Sequence, residues 1–408
     1  LGKTVTPVVL PGRLWGSLPV TRLALSGQEE PIRMKRTSLR PLTTLALGLC
    51  VPLTVVLATG AVGAAASATR PAQAVRQAQE TRPVGAGRGH AHGLVPRHVY
   101  APYFETWTKD SIATVARRSG ARYLTLAFLQ TPKRGSCSVG WNGSPNRLVG
   151  PRDPYIAQIR KLRAMGGDVV PSFGGFSADQ GGTEIADSCT SVPKIAKAYE
   201  KVVTTYSVTR LDMDVEAKSL NNKAGIARRS AAIKMLQQWA AKTHRTVQIV
   251  FTIGVEPSGL PGNCFNVLRS AAAHGVRFTV NIMAFDYYIQ ASKTGIEMGT
   301  AAVKALNATH RQLGHLYPRL SQSHLWALEG ITLLPGIDDY PKKTEVTYLP
   351  DASKVENFAA AHKLPELSIW AIQRDNGGCP GTIDSNHCSG IKQGAWAFSH
   401  MLESFTKR

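Results

Sequence analysis

The chain has 408 residues, 43% of them hydrophobic and 18% charged, with a formal net charge of +21. That is an ordinary globular composition, with room for one large domain or two average ones. No helix-turn-helix, zinc-finger or RNA-recognition pattern accompanies the positive excess, so no nucleic-acid partner is expected; the charge reads as solubility or as weak attraction to an acidic cell-wall polymer.

The charge is unevenly placed. Residues 1–97 hold 12 Lys/Arg against 3 Asp/Glu, and residues 98–408 hold 36 against 24. Residues 1–33 begin with Leu, precede Met34 and lack periodicity, and are expected to be an upstream extension outside the natural product. Met34 to Arg40 is positively charged, Leu42 to Val62 is apolar, and Ala66-Ser67-Ala68 offers small residues for cleavage. Residues 34–68 therefore read as a secretory signal peptide, with an uncleaved membrane anchor as the alternative. Cys50 lacks the small residue that should precede a lipidated cysteine. The expectation is a secreted, extracellular protein without stable membrane association once the signal is removed, and a monomer. Residues 69–97, rich in Arg, Gln, Gly, Pro and His, read as a flexible linker. His90 and His92 within it carry no metal-site pattern.

From residue 98 onward, short apolar runs alternate with helical patterns. Strands are expected over residues 99–103, 123–129, 169–173, 210–215, 246–252, 277–284, 326–333 and 367–372. Helices are expected over 109–119, 154–165, 192–206, 226–242, 300–313 and 351–362, with 395–405 closing the chain. Eight βα repeats in 98–408 predict a single α/β domain, a (β/α)8 TIM barrel. An open doubly wound sheet is the alternative, but no GxGxxG or P-loop pattern follows the first strand. Cys379 and Cys388, close together across a Gly/Pro/Asn-containing loop, are the first disulfide candidate; Cys137 with Cys189 is the second, leaving Cys264 free. No CxxC or His-containing metal spacing occurs, so neither metal nor cofactor is expected.

Within the fourth predicted strand, Arg210-Leu211-Asp212-Met213-Asp214-Val215-Glu216 alternates acidic with apolar residues. Strand side chains alternate faces, so Asp212, Asp214 and Glu216 share one face and Leu211, Met213 and Val215 the other. In a barrel the apolar set meets the helices and the acids point inward. At ~3.3 Å per residue they span roughly 13 Å, up to the C-terminal rim where active sites of this fold sit. Three carboxylates buried together usually serve chemistry.

This pattern resembles glycoside hydrolase family 18, the chitinase family, whose fourth strand reads DxxDxDxE; Thr209 stands where the first Asp is usual. The family's third-strand SxGG is matched by Ser172-Phe173-Gly174-Gly175. Its sixth-strand signal looks like Met283-Ala284-Phe285-Asp286-Tyr287, and its eighth-strand Trp is matched by Trp370. The resemblance implies hydrolysis of β-1,4 bonds in chitin or N-acetylglucosamine oligosaccharides with retention, assisted by the substrate's own acetamido group. Glu216 would be the general acid and base, Asp214 would orient the acetamide, and Asp212 would share a proton with Asp214. Asp286 and Tyr287 would hold the acetamido group or polarise its oxygen; Phe285 stands where many members of the family have an aromatic hydroxyl, so Tyr287 or Tyr288 would have to supply that donor. Trp370 would form the sugar-stacking floor. Met283, Tyr103 and Ser172 join the substrate-binding set, with Trp107, Trp141, Glu105 and Glu256 as weaker candidates. Ser172 could also bond buried carboxylates, and Gly174 and Gly175 would permit close backbone approach. Two other readings stay open: an endo-β-N-acetylglucosaminidase acting on glycoprotein glycans, and a non-catalytic chitin-binding lectin.

Overall fold

A computed structural model describes residues 95–287, 297–339, 345–383 and 386–407. The predicted upstream extension, the signal peptide, linker residues 69–94 and Tyr288 lie outside them.

The strands are β1 (Val99–Tyr100), β2 (Tyr103–Glu105), β3 (Tyr123–Gln130), β4 (Gly140–Trp141), β5 (Asp168–Gly174), β6 (Arg210–Val215), β7 (Gln248–Gly254), β8 (Thr279–Met283), β9 (Glu329–Leu333), β10 (Gly336–Ile337), β11 (Val346–Thr347) and β12 (Glu366–Ile369). The main sheet runs β1-β12-β9-β8-β7-β6-β5-β3-β2, every neighbouring pair parallel. β4 pairs antiparallel with the end of β3, and β10 and β11 form a separate hairpin. The two ends of this order are halves of one expected strand. Residues 99–103 are interrupted at Ala101-Pro102, where proline cannot donate to a ladder. The first half pairs with β12 and the second with β3, which closes the sheet into the barrel.

Around it lie α1 (Ile112–Ser119), α2 (Tyr155–Ala164), α3 (Phe176–Gly181), α4 (Ile185–Ser188), α5 (Val192–Tyr206), α6 (Lys223–Lys242), α7 (Gly262–Ala273), α8 (Met298–Leu316), α9 (Gln322–Trp326), α10 (Leu349–His362) and α11 (Ala397–Leu402). In α5 the buried residues Ile195, Tyr199, Val202 and Tyr206 recur at three- and four-residue steps and face the barrel, and Ser207 ends the helix in a left-handed conformation. Leu211, Met213 and Val215 of β6 join the same core between sheet and helices. Among the boundaries that differ from the sequence reading, Trp326 belongs to α9 rather than to a strand, and β12 stops at Ile369 before a 3-10 turn at Ile372–Arg374. Both disulfide candidates are formed, Cys137–Cys189 and Cys379–Cys388, and Cys264 is a buried free thiol.

Candidate active site

The inward face of β6 carries Arg210, Asp212 and Asp214. At the bottom Arg210 pairs with Glu366 at 3.1 Å, both about 5% exposed. One level up, Asp212 receives three hydroxyl hydrogen bonds: Ser172 Oγ to Oδ2 at 2.5 Å, Tyr103 Oη to Oδ2 at 2.9 Å and Thr252 Oγ1 to Oδ1 at 2.7 Å. Burial pushes its pKa up and these bonds pull it back, to about 6. Asp214 lacks that support. Its Oδ1 is buried without a partner. Burial, then the charges of Glu216, Asp212 and Asp179, hold its carboxyl well above the usual range. Glu216 follows the last strand residue at the rim, where burial raises it to about 7 against the backbone N–H of Phe176. Such strongly interacting carboxyls titrate as a set.

The residues after β5 determine how closely this set is packed. A Cβ at Gly174 would lie 2.0 Å from the Asp214 carbonyl oxygen, and one at Gly175 would lie 2.5 Å from the Phe128 ring. The two glycines thus let β6 and an aromatic wall approach. Phe128 reaches the cleft because the β3–β5 register slips between Leu126 and Leu129, so that Ala127 and Phe128 both turn inward. Its ring stacks on Trp370 at 5.5 Å and 15°, and Trp107 meets both rings, 6.3 Å from Phe128 and 6.2 Å from Trp370. Tyr103 meets the Trp370 ring edge-on.

These aromatic rings and the acids enclose a cleft of about 710 Å³, which Asp214, Glu216, Met283, Phe285 and Asp286 also line. Phe176, 62% exposed, flanks Glu216 at its rim. Apolar stacking surface beside a few convergent polar groups suits a saccharide, whose ring faces present C–H groups. On the wall beyond Glu216, Asp286 adopts φ +50° and donates its N–H to Asp338 at 3.0 Å. Burial, then the neighbouring Asp338, raises the Asp286 carboxyl to about 9.

Asp212, Asp214, Glu216, Tyr103, Met283, Asp286 and Trp370 therefore converge as the sequence suggests. Several candidates do not. Tyr287 packs into the main core with its hydroxyl unpartnered, because the turn at Asp286 sends the next side chain behind the wall. Ser172 is fully buried and committed to Asp212, which makes it a support rather than a sugar ligand. Trp141 is core, its indole N–H shared between Tyr206 and Asp153. Glu105 is fully buried with both carboxyl oxygens unpartnered, and burial lifts it to about 8 against the pull of Arg374. Glu256 is exposed in a turn, bonded to Ser258. Phe128 and Phe176 were missed. Phe128 is one apolar residue in an apolar strand, and Phe176 was visible only as the residue after SxGG.

No family model matches the chain. It is 32% identical over 327 residues to a probable bifunctional chitinase/lysozyme of Escherichia coli K12, covering 77% of this chain and 35% of that protein. It is 31% identical over 288 residues to endochitinase 11 of Metarhizium anisopliae, covering 69% and 53% respectively. The chain thus spans about a third and about half of the length of these curated relatives. Among solved structures, the catalytic domain of a hyperthermophilic chitinase from Pyrococcus furiosus superposes with a TM-score of 0.67 at 28% identity, covering 78% of this chain and 98% of that one.

Proposed function

We propose that this chain, whose barrel is a chitinase-like domain of glycoside hydrolase family 18, hydrolyses β-1,4 bonds between N-acetylglucosamine units. The observation that carries the reading is the buried, unpartnered carboxyl oxygen of Asp214 between Asp212 and a Glu216 whose pKa of about 7 keeps a proton available at neutral pH.

With a sugar stacked on Trp370, Glu216 gives its proton to the glycosidic oxygen as the bond to the anomeric carbon breaks. The substrate's acetamido carbonyl oxygen closes onto that carbon, forming a cyclic oxazolinium ion. Asp214 accepts the acetamide N–H and balances the positive charge, its own proton passing to Asp212, which until then is a carboxylate held by its hydroxyl donors. Glu216, now a carboxylate, takes a proton from water. The resulting hydroxide oxygen opens the ring from the face the leaving group vacated, so configuration is retained.

The location belongs to the same proposal. Two disulfides suit an oxidising compartment, and residues 34–68 have the pattern of an export signal. N-terminal sequencing of protein recovered from culture medium checks it.

Turnover of a chromogenic chitobiose glycoside tests the activity and separates a hydrolase from a lectin. Glu216→Gln should abolish turnover, and full activity in that variant would overturn the assignment of the acid. A thiazoline analogue of the oxazolinium should inhibit strongly, whereas indifference to it would point to a protein nucleophile.

A further inference from the structure

A second tier of charged side chains lies behind Glu216 and has no part in the steps above. Asp179 of α3, Glu184 at the start of α4 and Arg229 of α6 are each at most 1% exposed. Arg229 Nη2 donates to Glu184 Oε2 at 2.8 Å, and the same oxygen accepts the backbone N–H groups of Ala186 and Asp187. Glu184 is thereby satisfied. Asp179 is not: Oδ2 accepts the backbone N–H of Glu216, and Oδ1 is buried without a partner.

The bond to Glu216 meets a need created by the strand ending. The β5–β6 ladder stops at the pair Gly174–Asp214, where the Asp214 carbonyl accepts the Gly175 N–H, so the N–H of Glu216, two residues on along the same edge, falls beyond it. Asp179 supplies the acceptor. Three residues earlier, the backbone N–H of Phe176 reaches the Glu216 carboxylate. One short segment, begun by the glycine pair, thus holds both ends of the acid.

We propose that Asp179 is a positioning residue for Glu216, fixing through the backbone N–H the point at which the acid enters the cleft. The inference rests on the reading of Glu216 as the proton donor. The local charge balance gives Asp179 its form. One guanidinium, that of Arg229, faces three carboxyls, Glu184, Asp187 and Asp179, and is bonded to Glu184, so Asp179 is buried beside Glu216 and Asp214 without an ion pair of its own, and burial followed by the charge of Glu184 favours its protonated state. A neutral acid accepts the N–H without adding a further negative charge behind the catalytic group.

Asp179→Asn and Asp179→Ala, assayed with the chromogenic chitobioside across pH and checked for folding by circular dichroism and Tm, test this. The amide keeps shape, neutrality and an acceptor oxygen. Asp179→Asn should hold kcat within about threefold and leave the basic limb of kcat/KM in place, while Asp179→Ala should lower kcat about tenfold to a hundredfold with little change in KM. Asp179→Asn carries the test alone if the alanine variant does not fold. A basic limb displaced by Asp179→Asn, or a kcat as low as that of alanine, would show that the charge matters and would overturn the proposal. Wild-type kcat in folded Asp179→Ala would overturn it too. An inactive wild-type protein would instead sink the chitinase reading, and this inference with it; the failures above require an active wild type and are thereby distinguishable.

Discussion

Gly174→Ala is the sharpest probe of how the acids are held. The residue has φ +98°, and its ideal Cβ would lie 2.0 Å from the Asp214 carbonyl oxygen and 3.2 Å from the carbonyl carbon. Nonbonded atoms need about 3.4 Å or more, so a methyl group must drive β5 from β6 by more than about 1 Å at the level of Asp214. A left-handed backbone adds about 1–3 kcal/mol of strain for alanine, and the overpacking adds about 1–3 kcal/mol. Gly135 is the control, with φ +81° and nothing within 4 Å of its Cβ, so alanine there meets the backbone term without the collision. Urea unfolding should show Gly174→Ala losing about 2–6 kcal/mol against about 1–3 kcal/mol for Gly135→Ala. Turnover of the chitobioside should fall roughly a hundredfold in the first, as a displacement of about 1 Å in a reacting constellation predicts, and stay unchanged in the second. Equal stability and equal kcat in the two variants would refute the claim that close approach, rather than conformation alone, demands glycine at Gly174.

Glu216 has a folded pKa of about 7, raised from 4.5, so the folded state binds its proton more tightly than the unfolded one. Its contribution to stability is full below about pH 4.5 and is lost as pH rises through about 7. Glu216→Gln should therefore raise Tm at pH 8 relative to wild type, with the gain vanishing near pH 4, and a gain independent of pH would contradict the linkage. Under the proposed mechanism the same proton should set the basic limb of kcat/KM near pH 7. Ser172→Ala removes one of three donors that hold Asp212 at about 6; the acidic limb should move to higher pH and kcat should drop, whereas an unmoved limb would show that Asp212 does not exchange its proton during turnover. Replacing Cys137 and Cys189 by serine opens a crosslink between residues 52 apart. The loop-entropy estimate is a loss of about 4 kcal/mol, with kcat of the folded fraction unchanged because neither sulfur lines the cleft.

Much of the barrel was legible because buried parallel strands are apolar runs and their helices are amphipathic. Residues 210–215 form the strand expected, in the alternation expected, because each apolar residue there has a helix to meet. The α7 helix at Gly262–Ala273 was missed: its Gly, Asn, Ser and Ala content leaves too weak a periodicity to read. In the site, the acids were legible because carboxyls in an apolar strand are conspicuous. Phe128 was not, since alternation alone turns it toward the helices and a register slip reverses that. Tyr287 was misjudged for a related reason. β8 ends at Met283, and the positive φ of Asp286 breaks the alternation that would have set Tyr287 on the same face as Met283 and Phe285.

The seam between β1 and β12 also bears on how the protein is made. Val99 donates to Pro365, His98 Nδ1 meets the Leu364 carbonyl, and Tyr100 N–H donates to Thr406, 306 residues later. At a synthesis rate of about 5–20 residues per second, Tyr100 leaves the ribosome roughly 15–60 s before its partner exists. During that interval the first strand has β3 on one side and an open ladder on the other. The barrel is therefore a fold that cannot close during elongation: its last seam is made only when the C-terminal residues that complete it have left the ribosome.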